Sequence, residues 1–98
     1  MMKLDGENVT LKFGKYHNGN LALQVFDEEG FPYATITVNL YDELSNSNCA
    51  FIDTNNCGDE IIGWLEDNNL GYSTGRYGKS GFCIYPEFEF NEDVINEQ

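Results

Sequence analysis

Apolar and polar residues alternate along several stretches of the chain, and this alternation predicts strands. In "NVTLKFGKY" every second residue over 9–13 is apolar, as expected for a strand with one buried face. The segment "GNLALQVFDEEGFPYATITVNL" contains two further strand patterns, over 21–26 and 33–40. Between them "DEEG" is a turn sequence, and Gly30 can adopt the positive φ that a reversing chain often needs. We therefore expect the second and third strands to form a hairpin.

The second half of the chain predicts two more strands and one helix. The short apolar run in "CAFIDTNNCG" indicates a fourth strand. In "GDEIIGWLEDNNLG" the apolar residues have helical spacing, and Asp59 and Glu60 fall in the first turn, where carboxylates favour the helix dipole. The final segment "GFCIYPEFEF" predicts another strand. Pro86 lacks the amide that a central strand needs, so we expect this strand to lie at an edge or to be interrupted there.

The order of these elements, with hairpins first and a single late helix, predicts the α+β class. We expect one antiparallel sheet of four to five strands, with a helix at about 59–68 packed on it. A chain of 98 residues predicts a single domain over 1–98, with a loosely ordered tail from about residue 91. No apolar run is long enough to span a membrane and "MMKLDGENVT" lacks a signal-peptide profile, so we expect a cytoplasmic protein.

The chain is strongly acidic, with 17 Asp and Glu against 5 Lys and Arg and a formal net charge of −12. Such a charge repels nucleic acid and anionic lipid and attracts basic proteins. We therefore expect a basic protein partner and no direct contact with nucleic acid or membrane. The acids occur in small groups, and the candidate contact groups are Asp27, Glu28 and Glu29, and the strand pair Glu87 and Glu89. The alternation of that strand pair predicts a solvated face.

The segment "STGRYGKSGF" nearly matches the phosphate-binding pattern GxxxxGK[ST], but Ser73 occupies the place of the first glycine. A phosphate-binding loop follows a strand and begins a helix, whereas here the predicted helix comes before and a strand follows. Nucleotide hydrolysis is therefore not expected. Arg76 and Lys79 remain as two of the few cations, on a predicted glycine-rich loop. They either contact a phosphate or carboxylate of a partner or pair with acidic neighbours.

The sequence offers one candidate metal site and no convincing catalytic site. Cys49, Cys57 and Cys83 with the single His17 have the composition of a Cys₃His zinc site, but no C-x-x-C knuckle is present, so ordinary free thiols are the alternative. Asp53, just after an apolar strand, is either a base or a turn cap, and its position favours the cap. We expect no enzymatic activity, and no cofactor apart from the possible zinc.

Three segments carry a resemblance to a family: "LALQVFDEEGFPYATITVNL", "AFIDTNNC" and "GYSTGRYGKSGFCIYPEFEF". In this combination the chain, over about 8–90, resembles small acidic proteins of unknown biochemical function. These are encoded on conjugative elements, plasmids and phages of gut bacteria and other Gram-positives. The resemblance supplies no catalytic residues. It implies a mobile-element context, in which small acidic proteins are often counter-defence factors such as anti-CRISPR and antirestriction inhibitors.

Charge and context together lead to a functional hypothesis. Defence nucleases hold phosphates in channels lined with Lys and Arg, and a rigid acidic domain can occupy such a channel as a nucleic-acid mimic. The sequence thus predicts a stoichiometric inhibitor of a bacterial defence nuclease, with an RNA-guided type II CRISPR nuclease as the leading target. One alternative is an acidic accessory protein that regulates conjugation or replication by binding another basic protein. Another is a small hydrolase or nucleotide-binding protein using Arg76 and Lys79.

Overall fold

The computed structural model describes residues 2–40 and 47–96, so Asp42 and Glu43 lie outside the described residues. The chain forms two antiparallel sheets of four strands each and three short helices in this part. The first sheet has, in spatial order, β1 (Met2–Leu4), β2 (Glu7–Lys15), β3 (Leu21–Asp27) and β4 (Pro32–Thr35). The second has β5 (Thr37–Val38), β6 (Cys49–Ile52), β8 (Cys83–Phe90) and β7 (Gly71–Ser80). The helices are α1 (Thr54–Cys57), α2 (Glu60–Asp67) and α3 (Glu92–Asn96).

The α+β class is confirmed, whereas the strands divide into two sheets rather than one of four to five strands. The predicted strand over 33–40 is split at Ile36, where the chain leaves the first sheet and enters the second. The Ile36 amide donates to the Leu23 carbonyl, and the Ile36 carbonyl accepts from the Asp53 amide. Thr37, which the alternation placed on the polar side, is buried, and its Oγ1 accepts from the Leu23 amide. The change of sheet therefore turns this polar residue inward.

The main core lies between the two sheets and α2. Its fully buried members include Leu23, Val25, Ile36, Ile52, Leu65 and Phe88. The rings of Phe13 from the first sheet and Phe90 from the second make an edge contact with centroids 5.3 Å apart. A smaller cluster of Leu40, Phe51 and Tyr85 occupies the opposite face of the second sheet. Both sheets thus depend on the same apolar layer.

The predicted helix is present as α2, and its bounds agree within one residue at each end. Ile61 and Leu65 face the core, and Trp64 is half-buried. The indole N–H of Trp64 donates to the backbone carbonyl of Lys3, which fixes α2 against β1. In the described residues, no helix has the length and apolar character needed to cross a membrane.

The last strand, β8, lies between β6 and β7, so of the two predicted alternatives the edge position is wrong and the interruption at Pro86 is the one observed. Pro86 is tolerated there because it lies past the last β6 pair, Phe51 with Glu87, and opposite Tyr77. The β7 register is irregular between Ser73 and Tyr77, so the ladder is already interrupted beside the proline.

The segment that we expected to be loosely ordered, from about residue 91, contains α3 within the described residues. Val94 and Ile95 are partly buried against the main core. The Asn91 amide donates to the Leu70 carbonyl, which ties the start of this segment to the residue just before β7.

Candidate functional site

One end of the first sheet carries a group of carboxylates. Adjacent strands of this sheet are antiparallel, so the β1–β2 and β3–β4 turns lie at the same end. The acids there, which we call the acidic end, are Asp5, Glu7, Asp27, Glu28 and Glu29. The two turns are joined by hydrogen bonds from the Asn8 side chain to Glu28 (2.6 Å) and from the Tyr33 hydroxyl to Asp5 (3.2 Å).

The opposite end of the same sheet lacks carboxylates. Lys15 ends β2 there and is exposed, His17 lies in the β2–β3 turn, and residues 11–24 contain no Asp or Glu. Carboxylates are therefore concentrated at one end of the first sheet, where Lys3, opposite Asn8 in the β1–β2 ladder, is also exposed.

The acids of the β3–β4 turn have different roles. One carboxylate oxygen of Asp27 accepts from the amides of Glu29 (3.0 Å) and Phe31 (2.9 Å), so this side chain shapes the turn. Glu28 and Glu29 are exposed at its tip. Of the predicted group, these two are therefore placed to contact a partner, whereas Asp27 supports their position.

The sequence reasoning missed Asp5 and Glu7, although a signal was present. Asp5 and Gly6 form a two-residue hairpin turn between β1 and β2, with φ of 53° and 83° respectively, and Leu4 pairs with Glu7 across it. Asp-Gly between two short strands favours such a turn, because both central residues adopt positive φ. The Asp5–Gly6 dipeptide in the sequence therefore predicts strand β1 and places Asp5 and Glu7 at its turn.

Glu87 is buried, with 2% of its surface exposed, so the predicted solvated face is wrong at this residue. Its carboxylate accepts from the Thr74 hydroxyl (2.8 Å) and from the Arg76 guanidinium (3.3 Å). The irregular register of β7 between Ser73 and Tyr77 brings these partners to it. The structure thus places Glu87 in an internal network rather than on a contact surface.

Arg76 and Lys79 lie in strand β7 and not on a loop, so the loop prediction is wrong. The near-match to the phosphate pattern is followed by a tight turn and β8, without the helix N-terminus that phosphate binding requires. Arg76 is half-exposed and paired with Glu87, whereas Lys79 is exposed opposite Ile84. The structure does not bring the two cations into a phosphate-binding arrangement.

The three thiols and the histidine come from different parts of the fold. Cys49 faces Glu89 in the β6–β8 ladder, while Cys83 begins β8, at the other end of that strand. Cys57 ends α1, and His17 lies in the β2–β3 turn. Among residues 2–40 and 47–96, no group of three or more His, Cys, Asp or Glu is arranged to hold a metal ion. The predicted zinc ligands are therefore not brought together.

Cys49 is predicted to react slowest of the three thiols. Burial, followed by the charges of Glu87 and Glu89, raises its pKa to about 11, so little thiolate exists near pH 8. We expect iodoacetamide to alkylate Cys49 at least about tenfold more slowly than the half-buried Cys83, as mapped by peptide mass spectrometry. In denaturant the two rates should converge. Equal rates in the folded protein would contradict the buried position of Cys49.

A cleft of about 300 Å³ adjoins the acidic end. We call it the β1–α2 cleft, and its lining residues are Leu4, Asp5, Tyr33, Ala34, Ile36, Asn56, Cys57, Glu60, Ile61 and Trp64. Asp53 caps α1 by accepting from the Asn56 amide (3.3 Å), which confirms the cap interpretation. This cap places the α1 residues on the wall of the cleft. The cleft and the acidic end share Asp5 and thus form one continuous surface.

Comparisons with known proteins identify the family but no activity. No curated protein matches the chain significantly. No solved structure matches it significantly either. The sequence model of the family described as "Domain of unknown function (DUF4313)" matches residues 10–98, which begin within β2 and include β3 to β8 and the three helices of the described residues. The chain therefore belongs to the DUF4313 family.

Proposed function

We propose that this protein is a stoichiometric inhibitor of a bacterial defence nuclease and acts in the cytoplasm. The observation that carries the proposal is the acidic end, where two neighbouring turns present carboxylates on one side of a chain with a net charge of −12. The resemblance to proteins of mobile elements makes an RNA-guided type II CRISPR nuclease the leading target. The proposed role requires binding and no catalysis.

The proposed mechanism is electrostatic competition with nucleic acid. Glu7, Glu28 and Glu29 are exposed at one end of the sheet, Glu7 at the start of β2 and the other two in the hydrogen-bonded β3–β4 turn, so their charges approach a basic groove together. Such a surface speeds association with the nuclease by steering, and carboxylates then occupy the positions of phosphates. Because exposed charges are screened over about 8 Å at physiological ionic strength, affinity for the nuclease should fall steeply with added salt.

The same surface serves the alternative function of an accessory protein that binds a basic protein of conjugation or replication. The two functions differ in which basic protein is bound, and the geometry of the acidic end is compatible with both. Nucleotide binding is less well supported, because Arg76 already pairs with Glu87 inside a strand.

Charge reversal at the acidic end tests the proposal. We expect Glu7→Lys with Glu28→Lys and Glu29→Lys to weaken inhibition of target DNA cleavage at least roughly tenfold, because the reversed charges repel a basic channel. Asp27 is left intact because it shapes the turn. The measurement is the inhibitor concentration that halves cleavage by a type II CRISPR nuclease.

A second triple variant is the matched control. Glu66→Lys, Asp67→Lys and Glu92→Lys change the net charge by the same amount at exposed positions of α2 and α3. This variant should retain most of the inhibition. Equal loss in both variants would show that only net charge matters, and no inhibition by the wild type at about tenfold excess would reject the nuclease target.

A further inference from the structure

The β1–α2 cleft combines an apolar floor with aromatic walls. Leu4, Ile36 and Ile61 are buried core residues whose side chains reach the cleft. Tyr33 is 39% exposed and Trp64 is half-buried, so both rings retain surface that faces solvent or a ligand. Such a lining favours an aliphatic or planar group over a fully hydrated ion.

The rim of the cleft is negatively charged. Asp5 and Glu60 are exposed and line it, and none of its lining residues, all within the described part of the chain, is Lys, Arg or His. Burial first, and then the charges of Asp53 and Asp5, raise the pKa of the Cys57 thiol on the same wall. The field inside the cleft therefore favours a positive charge.

The lining groups are also held in place before any ligand binds. The Trp64 indole is anchored to the Lys3 carbonyl, and the Tyr33 hydroxyl donates to Asp5. These two bonds hold both aromatic walls and the Asp5 carboxylate, while Glu60 is an exposed side chain at the rim. A preformed site loses less conformational freedom on binding than a flexible one.

We infer that the β1–α2 cleft binds an organic cation, an ammonium or guanidinium group on an aliphatic stem. The aromatic rings attract the cation, the carboxylates of Asp5 and Glu60 pair with it, and the apolar floor covers the stem. A volume of about 300 Å³ is at the lower end of small-molecule sites and suits one group of side-chain size. This site goes beyond the proposed function and does not depend on a nuclease target.

The intrinsic fluorescence of the protein provides the test, because Trp64 is the only tryptophan in the sequence and lines the cleft. We expect Nα-acetylarginine amide to cause a saturable change in Trp64 emission, with a dissociation constant on the order of 1 mM. Nα-acetylcitrulline amide has nearly the same shape without the charge, and should bind at least about tenfold more weakly. Equal responses to the two probes, or no saturable response to the arginine probe, would overturn the assignment.

Paired variants locate the site. Asp5→Asn with Glu60→Gln should weaken arginine-amide binding at least about tenfold, since both charges of the rim are removed. The control, Glu66→Gln with Asp67→Asn, removes the same charge from the last turn of the same helix and should bind like the wild type. Unchanged melting temperatures establish that both proteins are folded. Equal weakening in both variants would contradict binding at the cleft.

Two further probes separate the sources of the cation. A short peptide with one central arginine represents a side chain of a protein partner, and spermidine represents a free polyamine. Tighter binding of the peptide would assign the cleft to a protein side chain, whereas tighter binding of spermidine would assign it to a small metabolite. If the wild-type protein binds the arginine probe but does not inhibit the nuclease, the proposed function alone is rejected. If it inhibits the nuclease but does not bind the probe, the cleft assignment alone is rejected.

Discussion

Replacing Gly71 with alanine should strongly destabilise the protein. Gly71 begins β7 opposite Phe90, and an added Cβ would lie 1.9 Å from the backbone carbonyl oxygen of Glu89. That oxygen belongs to the central strand of its sheet, so the clash cannot be relieved by rotating a side chain. We expect the free energy of unfolding to fall by about 3 kcal/mol or more, as measured by denaturant titration.

Gly14→Ala is the matched control, because it makes the same chemical change in a strand. An added Cβ at Gly14 has no atom of the described residues within 4 Å, and its φ is not positive. We expect this variant to change the free energy of unfolding by less than about 1 kcal/mol, in either direction. If Gly71→Ala were as stable as Gly14→Ala, the close approach of β7 and β8 would be incorrect.

The second large effect is expected at the Arg76–Glu87 pair. Only 3% of the Glu87 side chain is exposed, whereas 54% of Arg76 is. Arg76→Ala removes a positively charged partner from the buried carboxylate of Glu87. Glu87→Gln removes the carboxylate from Arg76, but water can solvate the exposed guanidinium. We therefore expect Arg76→Ala to lower the free energy of unfolding by about 2 kcal/mol, and Glu87→Gln to cost less. Thermal and denaturant unfolding measure both.

The double variant Arg76→Ala with Glu87→Gln tests whether Arg76→Ala destabilises the protein through the buried charge that it leaves on Glu87. It should be more stable than Arg76→Ala alone, because the buried charge has been removed. Lys79→Ala is the control in the same strand, since the described residues give Lys79 no ion pair, and should change stability by less than about 0.5 kcal/mol. A double variant less stable than Arg76→Ala would contradict this explanation.

Local periodicity predicted the hairpin of β3 and β4 and the helix α2, because both depend on residues close in sequence. It failed at Ile36, where the chain changes sheets through hydrogen bonds to Leu23 and Asp53. It also failed at Glu87, whose burial depends on the irregular register of a neighbouring strand. The same irregularity lies beside Pro86 and lets a strand with a proline occupy an inner position of the sheet. These features are tertiary, so no local pattern encodes them.

The residues of the candidate site were likewise predictable from the sequence only in part. Charge grouping predicts the acids of the β3–β4 turn, and the Asp5–Gly6 dipeptide is the sequence signal for the acids of the β1–β2 turn. The β1–α2 cleft was not predictable, because its walls come from β1, β4, α1 and α2. Trp64 was recognised as part of the helix, but its contact with Lys3 joins residues 61 positions apart. Such a contact depends on how the helix packs on the sheet.

The crossing at Ile36 has a consequence for how the molecule unfolds. This fully buried residue donates to one sheet and accepts from the neighbourhood of the other, so neither sheet opens at that point without disturbing its neighbour. Its amide proton exchanges with solvent only when the bond to Leu23 opens, and because the residue is buried between the sheets we expect that opening to be infrequent. The residue at which the chain changes sheets thus also couples them.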